Sequence, residues 1–249
     1  MLKNKRNGHE GTRKESTKER NRSSVLSHFV FFLRVPSWAI LCSLLCVLCV
    51  SAVSPPTKPL YANNFEKLPE GDPPEDMVAL MGKFAIRTVD GNKLLELPGD
   101  PVEGFGLLFG PDNESLLCVS ARIYGTATGK RTPEFGIGLA DSNGYKLWVI
   151  PATNELQIIR GEGDVKATVP FHWKSGTWTS LRLQVRQIGD GKFSVEGKAW
   201  EHGQEEPKAW MVAFTETEEL PKGRPSVWGS PYSSTPIRFD DLLVTKPGE

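Results

Sequence analysis

No part of this chain limits its fold more than Thr177 to Trp200, TWTSLRLQVRQIGDGKFSVEGKAW. Leu181, Leu183 and Val185 alternate with Arg182, Gln184 and Arg186, the period of two that marks a strand with one buried face. Asp190-Gly191 follows, a dipeptide whose residues accept the positive φ of a tight hairpin turn. Phe193, Val195, Gly197 and Ala199 lead back, with Ser194, Glu196, Lys198 and Trp200 on the other parity. A helix would need apolar residues at the 3.6-residue period, and the stretch has none. The rest of the folded region repeats the pattern, which predicts an all-β protein: a two-sheet antiparallel β-sandwich.

The remaining strands follow from apolar runs between turn residues. Tyr61–Leu68 opens the series and Pro69–Pro74 ends it. Phe84–Ile86 and Leu94–Leu97 flank Asp90-Gly91-Asn92, a second hairpin. Leu107–Phe109, Leu116–Tyr124, Phe135–Leu139, Tyr145–Ile150, Leu156–Ile159 and Val165–Phe171 precede the Thr177 hairpin. After it, Ala209–Thr215 reads as a strand, Pro221–Gly229 as a loop and Ile237–Val244 as the last strand. In Phe135–Leu139, FGIGL, apolar residues alternate with glycine, so one face carries no side chains. Short strands at this spacing belong to sandwiches and barrels, and residues 61–245 form one domain.

Composition matters for what it removes. The chain has 30 Lys+Arg and 30 Asp+Glu. Nine of the basic and three of the acidic residues precede Val53, which leaves 21 against 27, a net charge of −6, for the remainder. An acidic domain lacks the basic face that phosphate backbones require, which excludes nucleic acid. Of four cysteines, Cys42, Cys46 and Cys49 lie in the N-terminal apolar stretch and only Cys118 lies in the domain. No internal disulfide is available, so the core must hold the sandwich, and Cys118 reads as a small buried hydrophobe.

Residues 1–53 read as an address. The first 24 are basic and polar, and Trp38–Val53 is almost uniformly apolar. That run fits a signal-peptide core and falls short of the ~20 residues that span a bilayer. Val50-Ser51-Ala52 places a cleavage near Ala52. The long basic lead is longer than a simple secretory signal needs, and it fits equally a start codon set too far upstream or an uncleaved signal anchor. None of the three N-terminal cysteines follows Gly, Ala or Ser, which argues against an acylated lipoprotein cysteine. In each case the domain lies outside the cytoplasm, secreted or periplasmic, and touches a membrane only through this segment if it stays uncleaved. Residues 54–60 are a proline-rich spacer.

Several pieces come in a familiar order: Asn64-Phe65-Glu66, Arg122-Ile123-Tyr124-Gly125, Phe135–Leu139, Gly144–Leu147, Gly176–Leu183 and Arg238–Val244, RFDDLLV. Together they resemble the concanavalin A-like lectin/glucanase superfamily, the jelly-roll group that includes laminin-G-like domains and family 16 glycoside hydrolases. The resemblance implies two curved sheets with a concave ligand surface, and members that bind sugars, cleave them or only make contacts. The Glu-x-Asp-x-Glu strand of the family 16 hydrolases is absent. Glu201, Glu205, Glu206, Glu216, Glu218 and Glu219 cluster in loops and read as a solvated surface rather than an acid pair. His172 and His202 have no metal-ligand spacing and no nucleophile elbow occurs.

Asp240-Asp241 is the most specific polar feature. Ile237 and Phe239 share one face while Leu242 and Val244 are out of phase with them, and a β-bulge at the aspartates restores the register. In sugar-binding jelly rolls a first-strand acid and a last-strand Asp hold a structural calcium, and the resemblance assigns those positions to Glu66 and Asp240. The alternative is an aspartate accepting backbone N–H bonds. Sugar sites pair aromatic rings with polar side chains. By parity and loop position Arg122, Tyr124, Arg182, Gln184, Trp200, Trp210, Trp228 and Tyr232 form the candidate ligand patch, while Trp148, Trp173 and Trp178 go to packing. The expected function is an exported, non-catalytic module for a polysaccharide or cell-surface glycan; a divergent hydrolase and a structural domain without small ligand are the alternatives.

Overall fold

The computed structural model describes residues 58–101 and 103–248, so residues 1–53, read above as an address, and most of the proline-rich spacer lie outside the described residues. Fifteen strands run β1 (Tyr61–Asn63), β2 (Val78–Met81), β3 (Ala85–Val89), β4 (Asn92–Leu97), β5 (Phe105–Leu108), β6 (Cys118–Tyr124), β7 (Glu134–Leu139) and β8 (Tyr145–Ile150). They continue as β9 (Glu155–Arg160), β10 (Asp164–Pro170), β11 (Trp178–Gly189), β12 (Lys192–Glu201), β13 (Val212–Glu216), β14 (Ser226–Ser230) and β15 (Ile237–Thr245). Eight form one antiparallel sheet in the order β13-β12-β11-β6-β15-β4-β3, with β1 also paired to β15. Seven form the other, β10-β9-β8-β7-β14-β5-β2. We call these the major and minor sheets.

The Thr177 hairpin is β11 and β12, paired from Thr179↔Glu201 to Gly189↔Lys192. Leu181, Leu183, Val185 and Val195 are buried against the minor sheet's Leu147, Val149 and Ile158, worth about 1.5–3 kcal/mol for each large side chain removed from water. The β3–β4 hairpin closes through Asp90 (φ 53°) and Gly91 (φ 82°), the paired positive φ values that match strand twist. No disulfide is present among the described residues and Cys118 is buried as a free thiol.

Three sequence-based boundaries differ. The first strand stops at Asn63 because the chain turns there: Phe65 takes φ 59°, its N–H donates to Asn63 Oδ1 at 2.8 Å, and its ring is fully buried. Val78–Met81 is a strand that the pattern missed, since all four residues are exposed on the sheet edge. Pro221–Gly229 contains β14, which sits between β7 and β5 in the minor sheet. Its sequence, SVWGS, offers one aliphatic residue and so gives no alternation to read.

The chain's outer strands meet in the major sheet. β15 pairs β6 along one side, and its other side takes β4 first and β1 afterwards, with Tyr61 opposite Val244.

Candidate functional site

The bulge lies where the phase break in the sequence put it. Asp240 stands opposite Arg122, but the next pair on β15 is Leu243 opposite Ser120. One residue is in excess, and Asp241 absorbs it at φ 51°, a region Asp tolerates better than most residues. Ile237, Phe239, Leu242 and Val244 thereby all reach the core, and both aspartates turn to the outer face of the major sheet.

There they clamp Arg122. Asp240 Oδ2 accepts from Arg122 Nη2 at 2.6 Å and from Asn92 Nδ2 at 2.8 Å, while Oδ1 accepts the Asp241 N–H at 2.7 Å. Asp241 Oδ2 lies 3.0 Å from Arg122 Nε as an ion pair without hydrogen-bond alignment. The guanidinium also sits over the Trp178 ring, 4.7 Å from its centroid. Trp178 is tilted against Tyr124 at 5.6 Å, and Arg238 lies 5.5 Å over Tyr124 while bonding Glu96 at 3.0 Å. An arginine with this many contacts is preorganised, because its rotamer entropy is already spent in the free protein.

His202 completes the cluster. Its Nε2 is 3.5 Å from Arg122 Nη1 and its Nδ1 is 3.0 Å from Ser180 Oγ. A guanidinium only donates, so Nε2 accepts and the network assigns the proton to Nδ1, which donates to Ser180.

Arg122 and Asp241 act as partitions between hollows. On one side Val89, Asp90, Asn92, Tyr124, Trp178 and Arg238 enclose 280 Å³. In the middle Ser120, Ser180, Arg182, Trp200 and His202 enclose 100 Å³. Beyond Ser120 and Asp241, a third hollow of 490 Å³ is bounded by Ala62, Asn63, Asn64 and Leu243.

Four of the eight predicted ligand residues, Arg122, Tyr124, Arg182 and Trp200, therefore line adjoining hollows. The other four lie elsewhere. Gln184 is buried and donates to Glu196 at 2.6 Å; burial pushes that carboxyl up, but hydrogen bonds from Arg186, Gln184 and Ser194 outweigh it and hold it below the usual range. Trp210 carries the Lys198 ammonium at 4.6 Å, and Lys198 in turn pairs with Glu206 beside Arg182. Trp228 belongs to the minor sheet, and Tyr232 is exposed on the loop before β15. Of the acids of the hydrolase alternative, Glu201 ends β12 rather than lying in a loop and pairs with Lys174 at 3.2 Å, and Glu206 pairs with Arg182 at 2.7 Å.

Trp148 and Trp178 are corrections to the packing assignment, since both are partly exposed on outer faces. Their parity was available: Trp178 shares a face with Ser180 and Arg182, and Trp148 with Lys146. Trp173 does pack, 6.1 Å from Phe135 and edge-on. His202 gave no signal because it lies beyond the end of β12, and only the backbone bond from its N–H to Trp178 O brings it over the site.

No family model matches the sequence, and no curated protein matches it. Solved structures do match in shape. A point mutant of the Emp46p carbohydrate recognition domain aligns with TM-score 0.52 and 9% identity, covering 78% of this chain and 99% of that one. A protein of unknown function with a galectin-like fold from Bacillus subtilis gives 0.51 and 10%, covering 76% and 98%. The exoplasmic/lumenal domain of VIP36 in its Ca²⁺-bound form gives 0.50 and 9%, covering 70% and 84%.

A calcium at Glu66 and Asp240 does not fit the residues present. Asp240 already accepts from a guanidinium, an amide and a backbone N–H, and the fixed positive charge of Arg122 disfavours a second cation at that carboxylate. Glu66 is exposed and accepts the Lys93 N–H at 3.1 Å. Among the described residues no three His, Cys, Asp or Glu side chains gather as a metal site. What the likenesses share with this chain is the fold alone: two antiparallel sheets packed face to face.

Proposed function

We propose that this chain is an exported, non-catalytic, lectin-like module that binds a glycan across the Arg122 face of its major sheet. The observation that carries the reading is the immobilised Arg122, which divides adjoining hollows walled by Trp178, Tyr124 and Trp200. Rings supply apolar contact to the C–H faces of a sugar. Arg122, His202, Ser180, Asn92 and Asp241 supply donors and acceptors for its hydroxyls. The fold of the Emp46p recognition domain, which the chain shares in shape, supports a carbohydrate ligand. The apolar run before Ala52 supports export.

The test is thermal unfolding of the full chain against a panel of neutral and acidic oligosaccharides, with wild type, Trp178→Ala and Arg122→Lys. A ligand at a hundred times its Kd stabilises the native state by about 2.7 kcal/mol. A shift seen in wild type and lost in both variants is the expected result. A shift that survives in both would place the ligand elsewhere, and no shift with any glycan would favour a structural domain without small ligand.

A further inference from the structure

The last strand of a sheet presents a row of backbone N–H and C=O groups with a partner on one side only. Soluble proteins guard such rows with charge, proline or a covering segment. Three of the four strands that end the two sheet orders are guarded in this way. β10, DVKATVP, carries Asp164, Lys166 and Pro170. β3 carries Arg87, and its free side is taken by Glu70 and Gly71: Gly71 and Ile86 exchange N–H···O bonds at 3.1 and 2.7 Å, and the Thr88 N–H donates to Glu70 Oε1 at 3.1 Å. β13 ends in Glu216, which accepts from Tyr145 Oη and Arg160 Nη1, both at 3.0 Å, and so ties the two sheets together.

β2 has none of these protections. Its four residues, VALM, include no charge and no proline, and all are exposed. Val78, Leu80 and Met81 are 44%, 41% and 57% exposed, on a strand whose one neighbour is β5. The strand is nevertheless fixed in place. Val78, Ala79 and Met81 pair with Leu108, Leu107 and Gly106, and the shift in register leaves Leu80 without a partner on β5. Just before it Met77 is buried, its N–H donating to Pro74 O at 2.9 Å, and Arg224 Nη1 donates to Asp76 O at 3.2 Å. Just after it the Gly82 backbone packs on the Phe105 ring, which a Cβ would approach to 2.9 Å. A rigid, apolar, half-paired edge is preorganised for one more strand.

The flanks select that strand. Glu75-Asp76 precedes β2 and Lys83 follows it, and all three are exposed. A second copy of the segment is laid antiparallel, with the two-fold axis between Ala79 and Leu80. Val78 then stands opposite Met81 of the other copy, and Asp76 stands opposite Lys83 at both ends. Laid parallel, the segment would set like charges side by side. Charges of this kind choose direction and register more than they add affinity, and the two-fold makes the contact isologous and closed.

We propose that β2 is a self-association edge, at which two copies of this chain join their seven-stranded sheets into one of fourteen strands. The eight residues from Asp76 to Lys83 give a ladder of ~27 Å. A standard interface uses about 20–30 residues a side, so this dimer is weak and reversible, with Kd on the order of 10–100 µM. The pairing rests on β2 and its flanks and is independent of the Arg122 reading. Because the two-fold axis stands normal to the sheet, it turns the Arg122 faces of both copies to the same side.

The test is sedimentation velocity of the full chain from about 5 µM to about 0.5 mM, a span that brackets this Kd. Wild type is compared with Leu80→Lys, Asp76→Lys and Asp76→Lys/Lys83→Asp, each checked for folding by thermal unfolding. Wild type is expected to pass from monomer to dimer across the range. Leu80→Lys, which puts a charge on the free edge, should raise Kd about tenfold or more. Asp76→Lys sets like charges opposite each other and should raise it about threefold or more, while the charge swap should return it to within about twofold of wild type. Should Leu80→Lys not fold, Met81→Lys makes the same comparison. A wild type that stays monomeric throughout overturns self-pairing and leaves the edge to a strand of another protein. Association that neither lysine variant weakens also overturns it, as does a charge swap no better than Asp76→Lys alone.

Discussion

Removing the Arg122 side chain tests whether the bulge exists to hold that residue. In Arg122→Ala, the carboxylate of Asp240, fully buried in wild type, keeps only the Asn92 amide and the Asp241 N–H as partners. Stranding one half of a buried ion pair costs about 3–5 kcal/mol. In a domain of this size each kcal/mol moves the melting temperature by about 2–4 °C, so the expected loss is roughly 6–20 °C. Asp241 makes the internal control. Its side chain is 51% exposed, and an exposed ion pair contributes ~0–1 kcal/mol, so Asp241→Asn, which removes the charge and keeps a residue that tolerates φ 51°, should move the transition by a few degrees at most. The sharper comparison is Arg122→Ala/Asp240→Leu, which removes the stranded charge together with its partner and should recover a large part of the loss. Urea unfolding of wild type, Arg122→Ala, Asp240→Leu and the double variant provides the coupling energy directly. Arg122→Ala no more costly than Asp241→Asn, or a double variant equal to the sum of its singles, would refute the clamp.

Further expectations follow from other parts of the sandwich. The Glu196 carboxyl, buried but held below its usual range by Arg186, Gln184 and Ser194, and the Glu216 carboxyl, held low against its own burial by the N–H groups of Glu218 and Thr217, Tyr145 and Arg160, each favour the native state at neutral pH. A lowered folded value means that this contribution is complete above the ordinary glutamate range and disappears as pH falls through the folded one. Stability measured against Glu196→Gln should therefore converge with wild type in acid, and a constant difference across pH would refute the assignment. Gly197→Ala would set a methyl 2.4 Å from Leu147 Cδ1 and should cost about 1–3 kcal/mol by overpacking, read by urea unfolding. Burial raises the Cys118 thiol above its usual value, with Arg182 a lesser opposing influence, so a thiol reagent should label it only at the rate of unfolding.

Legibility in the sequence tracked the strength of the periodic signal. The β11–β12 hairpin was readable because apolar and polar residue types alternate along Leu181–Arg186 and again along Phe193–Ala199, with Asp190-Gly191 between them to mark the turn. Asp240-Asp241 was readable for the opposite reason: a break in the alternation has to be repaired somewhere, and a bulge is the local repair. β14 was not readable, because Val227 is its only aliphatic residue and its place between β7 and β5 is decided by partners distant in the chain. The candidate site divided along the same line. Parity placed Arg122, Tyr124, Arg182 and Trp200 outward, but parity cannot tell which sheet a late strand joins, so Trp228 was grouped with residues on the opposite face. Gln184 shows a further limit, since an outward side chain can still be consumed by its neighbours, here Glu196 and the Gly248 N–H.

The pairing of Tyr61 with Val244 makes the folded unit a nearly closed ring of chain. Antiparallel partners lie about 5 Å apart, so a peptide of a few residues could join the end of β15 to the start of β1 without disturbing either strand. New ends could then be opened at Asp190-Gly191, an exposed turn that the core does not use. A permuted protein of this kind would fold to the same two sheets while releasing its termini at the far end of the β11–β12 hairpin. Order along the chain and position in space are separable in this architecture, and the antiparallel seam between first and last strands is what separates them.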